Sequence, residues 1–213
     1  MTVYVVNPNT SEETTARMVA IAAAAVPSLA FRGATAAFGA AMITDEAGLE
    51  TGARAVEALV GSLPGPVRGV IVAAFGDPGI EAVRAALTCP VVGIGEASFA
   101  EAADGGRRFG VATTTPGLVD AIAARVEAMG HGAAFTGTCL TAGDPFALMR
   151  EPEALLRALA GAVEDCIAAG AERVIIGGGP LAQAAARLRA ETGREIVEPL
   201  PAAARMMARL LGV

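Results

Sequence analysis

The residues able to do chemistry stand in short polar segments placed directly after apolar runs. Asn7 and Thr10 follow Val3–Val6, while Phe75, Gly76 and Asp77 follow Gly69–Ala73. Glu96 follows Val91–Ile94; Thr113, Thr114 and Thr115 follow Phe109–Ala112; Gly179, Pro180 and Leu181 follow Val174–Ile176. Amide and hydroxyl side chains of this kind exchange hydrogen bonds with amides and carboxylates. Backbone stripped of side chains, around Phe75-Gly76 and Gly177-Gly178-Gly179, can present N–H groups to an oxyanion or enolate. Proton carriers are few. Asp77 either caps the helix that Pro78 opens or moves a proton. Glu96 either caps the helix after it or, its pKa raised by burial, acts as a base or receives a substrate N–H. His131, the one histidine, lies in the turn Met129-Gly-His-Gly132 and reads as solvated.

Strands and helices must alternate to place these segments together. Strand-like runs recur at Val3–Val6, Ser28–Arg32, Gly69–Ala73, Val91–Ile94, Phe109–Ala112, Ala133–Thr136, Val174–Ile176 and Glu195–Val197. Most are short, apolar and β-branched, as strands covered on both faces are. Helical stretches lie between them: Ser11–Val26, Asp45–Ser62, Pro78–Leu87, Pro116–Met129, Glu151–Ala169, Pro180–Glu191 and Pro201–Leu211. Asp77-Pro78 and Thr115-Pro116 pair an N-cap residue with proline at the first helical position. Asp45 and Asp144 read as further caps. Strand alternating with helix calls for an α/β fold with parallel sheets.

The chain also repeats itself. Arg68-Gly-Val-Ile-Val-Ala-Ala-Phe-Gly-Asp-Pro-Gly79 resembles Glu172-Arg-Val-Ile-Ile-Gly-Gly-Gly-Pro-Leu181, and Val3–Thr10 resembles Arg108–Pro116. Pro90–Glu96 has a partner in Glu195–Pro199. The offsets predict two pseudo-symmetric halves, each a parallel sheet flanked by helices. Residues 1–96 with 195–213 form one half, residues 97–194 the other, and the ligand is expected in a cleft between them.

Composition narrows the classes. The chain has 213 residues, 54% hydrophobic and 18% charged, with a net charge of −6. It is globular material without a basic stripe, which argues against nucleic acid. No lysine is present, so no P-loop exists, and Gly177-Gly-Gly179 lacks dinucleotide spacing. One histidine without clustered carboxylates gives no metal site. Met1-Thr-Val-Tyr enters a strand without a charged leader, and Met18–Val26 is too short to span a bilayer, so a cytoplasmic protein without membrane association is expected. Cys89, Cys139 and Cys166 form no CxxC pair. Cys166 reads as a buried small hydrophobe, whereas Cys139 follows a strand and could approach the cleft.

Asn7-Pro8-Asn9-Thr10, Ala73-Ala-Phe-Gly-Asp-Pro-Gly79 and Pro90-Val-Val-Gly-Ile-Gly-Glu-Ala97 together resemble the aspartate/glutamate racemase superfamily, and within it the hydantoin and allantoin racemase branch. The resemblance runs through the whole chain in order. It implies a cofactor-independent isomerase, a homo-oligomer, acting at the acidic α-carbon of a small cyclic ureide or amino-acid derivative. It also implies a cysteine from each half, facing opposite sides of that carbon. Those cysteines align with Ala74 and Gly178, which carry no proton. Three outcomes follow: an isomerase with another base, such as Asp77 or Glu96; a cysteine-independent lyase, decarboxylase or hydrolase; or a catalytically silent binding homologue.

Overall fold

Short runs of Val and Ile need cover on both faces of a sheet, and the chain supplies it by alternating strand with helix. A computed structural model describes residues 2–213. The first half contributes strands β1 (Thr2–Asn7), β2 (Phe31–Thr35), β3 (Val67–Val72) and β4 (Val91–Gly93). Helices α1 (Glu12–Ala25), α2 (Glu46–Val60), α3 (Ile80–Ala86) and α4 (Ile94–Ala102) follow them in turn. The second half repeats the plan with β5 (Phe109–Thr113), β6 (Phe135–Leu140), β7 (Arg173–Ile176) and β8 (Ile196–Val197). Its helices are α5 (Val119–Ala128), α6 (Pro145–Leu148), α7 (Pro152–Ala168) and α8 (Ala182–Thr192), and α9 (Pro199–Leu211) ends the chain.

Each sheet is parallel and has four strands, ordered β2-β1-β3-β4 and β6-β5-β7-β8. The order is the same in both, so the repeated sequence segments occupy equivalent strands. The chain divides into two compact units, one running to Ala97 and including Leu200–Val213, the other Ser98–Pro199. The second crossing falls beyond the expected Glu195. Ile196 and Val197 pair with Val174 and Ile175 of β7, which keeps β8 in the second sheet.

In the first unit Tyr4, Val6, Val70 and Val72 pack on Val56 and Val60 of α2 and Ile80 and Val83 of α3. In the second, Ala112, Val174 and Ile176 pack on Leu155, Leu159, Val163 and Cys166 of α7 and Ala185 and Leu188 of α8. Each fully buried aliphatic side chain stabilises the fold by about 1.5–3 kcal/mol.

Two strands start later than their hydrophobic runs suggest. β2 begins at Phe31, because Val3↔Phe31 through Asn7↔Thr35 sets its register and Leu29 closes a turn on Val26. β6 begins at Phe135, after a 3-10 turn over Gly132–Ala134, and runs on to Leu140 opposite Thr113. Helix α3 starts at Ile80, past the proline, because Gly79 takes a left-handed conformation at φ 73°. Among the described residues no helix is long and apolar enough to cross a membrane, and no group of three or more His, Cys, Asp or Glu is placed to hold a metal ion.

Candidate active site

Parallel α/β sheets offer ligands the edge where strand C-termini feed helices. In the first unit that edge begins at Asn7, which is fully buried. Its Nδ2 donates to Asn9 Oδ1 at 2.8 Å, Thr15 Oγ1 at 2.9 Å and Ser11 O at 3.2 Å, and its Oδ1 accepts from Asn9 N at 3.2 Å. Thr15 Oγ1 lies 2.7 Å from Thr35 Oγ1 and so ties the network to the end of β2. The N-cap of α1 is Ser11, whose Oγ accepts from Thr14 N at 3.2 Å. Thr10 is exposed at the edge, its N–H donating to Ala40 O at 3.3 Å. Asn7 thus shapes the loop that presents Thr10.

The next loop runs Ala73-Ala74-Phe75-Gly76-Asp77. Ala73 N donates to Val6 O at 2.8 Å, extending the β1–β3 pairing, and Asp77 N donates to Ala74 O at 3.0 Å, closing a turn. Asp77 is buried and sits at φ 51°, a left-handed conformation that Asp tolerates better than most residues. Its sequence position suggests a cap for α3. Its carboxylate instead reaches α4: Oδ1 accepts from Gly95 N and Oδ2 from Glu96 N, both at 2.8 Å. Two of the unsatisfied N–H groups that open a helix are thereby satisfied by a charge that also suits the helix dipole.

This contact explains two motifs at once. A Cβ on Gly93 would lie 2.2 Å from the Asp77 carboxyl, and one on Gly95 would lie 2.9 Å from Oδ2. The Gly-Asp-Pro-Gly loop and the Val-Gly-Ile-Gly-Glu segment interlock through Asp77. Glu96 faces the other way. Its Oε1 pairs with Arg84 Nη2 and accepts from Gly93 N at 3.1 Å, while Arg84 also donates to Val91 O at 3.1 Å. Glu96 therefore ties α3, β4 and α4 together.

In the second unit Thr113, Thr114 and Thr115 are all buried at the end of β5. Thr113 Oγ1 donates to Gly177 O at 2.9 Å and lies 3.1 Å from Thr115 Oγ1. Thr115 does not cap the turn at Pro116–Leu118 with its side chain, contrary to what Thr115-Pro116 suggests; its hydroxyl meets Thr113 instead. Gly178 sits at φ 142° and ψ 125°, and Leu181 N donates to Gly178 O at 3.0 Å across the turn Gly179–Leu181. Leu181 is buried beneath that turn and Pro180 partly so.

Several candidates lie elsewhere. Cys89 precedes β4 and so belongs to the opposite edge of its sheet; burial raises its thiol pKa. Cys139, near the end of β6, pairs with Ala112 and packs against the α7–α8 core beside Cys166. Burial, with a hydrogen bond to Cys139, pushes the Cys166 thiol well above its ordinary range. His131 lies before β6, also at the opposite edge. Asp45 and Asp144 are caps, accepting from Gly48 N and Ala147 N at 2.8 Å. A groove of about 330 Å³ in the second unit lies toward the start of β7 and β8, and its Arg173, Arg189 and Arg194 are each ion-paired.

Thr141 did not stand out in the sequence. It follows β6 directly and its N–H donates to Thr113 O at 3.0 Å, adding a buried hydroxyl to the strand-end edge. The available signal was its place one residue past an apolar strand. Thr15 and Thr35 were likewise unmarked, because their role exists only once β1, β2 and α1 meet.

Two parallel sheets of one strand order, with polar and glycine-rich loops at their strand ends, define an α/β protein of repeated halves. The chain belongs to the Asp/Glu/hydantoin racemase family: the family model described as Asp/Glu/Hydantoin racemase matches residues 3–207. A hydantoin racemase of Rhizobium meliloti is 31% identical, over 100% of this chain and 89% of that protein. The crystal structure of allantoin racemase from Pseudomonas fluorescens is 28% identical with a TM-score of 0.93, covering 100% of this chain and 91% of that one. Allantoin racemase from Klebsiella pneumoniae shares the fold at 24% identity and a TM-score of 0.85, covering 100% of this chain and 88% of that one.

Proposed function

We propose that this protein binds a small cyclic ureide or related amino-acid derivative and labilises the proton on its acidic α-carbon without a thiol pair or a cofactor. The observation that carries the reading is the pair of strand-end loops. Each unit keeps polar and bare-backbone groups for a ligand, while Ala74 and Gly178 stand where the racemase resemblance implies cysteines. The relatives named as hydantoin and allantoin racemases support the substrate class. A carbon beside a ring carbonyl gives up its proton to form an enolate. The first unit is proposed to offer an oxyanion the backbone N–H groups around Phe75-Gly76 and the hydroxyl of Thr10; the second is proposed to offer those around Gly178-Gly179 and the hydroxyl of Thr114, since the Thr113 and Thr115 hydroxyls are spent on Gly177 O and on each other. Asp77 is the proposed proton carrier. It follows Ala74 by three residues, and its backbone N–H donates to Ala74 O at 3.0 Å, which fixes it beside the position where the resemblance implies a cysteine. Glu96 is proposed to position Asp77 by anchoring the start of α4.

A second reading, binding without turnover at carbon, is favoured by the contact of Asp77 with α4. Protonating Asp77 would weaken the bonds its two oxygens receive from Gly95 and Glu96. Proton NMR in D₂O separates the two, using single enantiomers of 5-substituted hydantoins and of allantoin. The isomerase reading expects loss of the α-proton signal together with optical rotation, abolished in Asp77→Asn while the variant stays folded. Ligand-induced thermal stabilisation without any exchange would overturn it and leave the binding role.

A further inference from the structure

We infer that Thr141 is a ligand-binding residue, its hydroxyl engaging a C=O or N–H of a planar cyclic amide at the strand-end edge of the second unit. This rests on the ligand class proposed above, and it adds a contact that neither motif nor resemblance indicates.

The hydroxyls at this edge divide by what they bond. Thr113 donates to Gly177 O and meets Thr115, so both are engaged in holding the loop after β7. On β6 itself, Thr136 Oγ1 donates to Phe109 O at 3.1 Å and stitches β6 to β5. Thr141 differs. It is only 9% exposed, yet its Oγ1 finds no hydrogen-bond partner among the described residues. Its backbone is fixed beside Thr113, with its N–H bonded to Thr113 O at 3.0 Å, so the hydroxyl is held at the end of the sheet. A buried hydroxyl without a partner is destabilising unless some other group satisfies it. The strand C-terminal edge is where α/β proteins bring a ligand to do so. A hydroxyl can both donate and accept, which suits the alternating N–H and C=O of a ureide ring. The oxygen is itself covered, so a ligand reaches it only as the groups around it give way.

The isosteric change Thr141→Val tests this, with Thr141→Ser as the conservative partner and Thr136→Val as a control for a hydroxyl already bonded within the sheet. Calorimetric titration with allantoin and with 5-methylhydantoin is run beside thermal unfolding of each variant. Thr141→Val is expected to bind about 3- to 10-fold more weakly, the share of one hydrogen bond, with an unchanged or raised melting temperature; Thr141→Ser keeps the affinity. Thr136→Val is expected to do the reverse, melting earlier with affinity unchanged. Wild-type affinity in Thr141→Val overturns the assignment. So does a lowered melting temperature in that variant, which would make the hydroxyl structural. If the wild-type protein binds neither compound, the proposed ligand class falls and the Thr141 assignment falls with it.

Discussion

Asp77 carries an unusual local conformation because of what its carboxylate does for α4. A non-glycine residue at φ 51° is tolerated where surrounding bonds over-determine it, and here two 2.8 Å bonds to consecutive backbone N–H groups do so. Asp77→Ala removes both acceptors and is expected to destabilise by about 1–3 kcal/mol. Asp77→Asn, which keeps one oxygen and tolerates the left-handed region, should lose roughly half of that, read by urea unfolding. The two positions where the resemblance implies cysteines differ in what they tolerate. Ala74 has a Cβ and lies in a turn, so Ala74→Cys is expected to fold with a change of about 1 kcal/mol or less. Gly178 sits at φ 142°, and a Cβ there would come within 3.2 Å of Leu181 Cδ1. Gly178→Cys is expected to cost about 1–3 kcal/mol. Equal unfolding midpoints for the two variants would contradict this.

At the scale of elements, the contact between α3, β4 and α4 runs through Glu96 and Arg84. The Glu96 side chain is 5% exposed and that of Arg84 37%. Arg84→Met would take the Arg84 guanidinium away from this buried carboxylate, and the expected loss is about 1–3 kcal/mol in urea unfolding. In the second unit α7 is set against β6 through Cys166 and Cys139. Burial keeps the Cys166 thiol protonated in the folded chain at pH values where the unfolded chain ionises it, from about 8.5 upward. The unfolded state then binds fewer protons, so stability falls as pH rises past that point and is unaffected below it. Cys166→Ala should lower stability at pH 7 by about 0.5–1.5 kcal/mol through lost packing. It should also flatten the decline between pH 8 and 10. An unchanged alkaline slope would show that the thiol stays neutral for no energetic reason of its own.

For the whole molecule, the informative quantity is what a ligand does to folding. A compound that binds only the folded chain, present at about 100 times its dissociation constant, adds about 2.7 kcal/mol. For a chain of this size that corresponds to a rise of roughly 5–10 °C in melting temperature. Allantoin or a 5-substituted hydantoin is expected to give such a shift. A flat response to both, up to millimolar concentrations, would remove cyclic ureides from consideration while leaving family membership intact.

Much of the architecture was legible from residues alone, for a local reason. β-branched apolar runs, hydroxyl or Asp–Pro helix starts and the repeat of Val3–Thr10 in Arg108–Pro116 are encoded within a few positions of each other. They therefore announced strand, helix and duplicated half before any packing was known. The strand-end positions of Asn7, Phe75–Asp77, Thr113–Thr115 and Gly178–Leu181 followed from the same pattern. What each side chain does there did not, because a hydrogen bond to a residue distant in sequence leaves no mark beside either partner. Asp77 caps α4 from eighteen residues away, where its own Pro78 suggested α3. Thr113 holds the carbonyl of Gly177 sixty-four residues on. Cys139, a strand-end thiol by position, turned inward because the register Ala112↔Cys139 places it on the α7 face. Short-range pattern decides which element forms. Long-range register and packing decide which of its polar atoms remain for a ligand, and so Thr141 came to notice only with the fold.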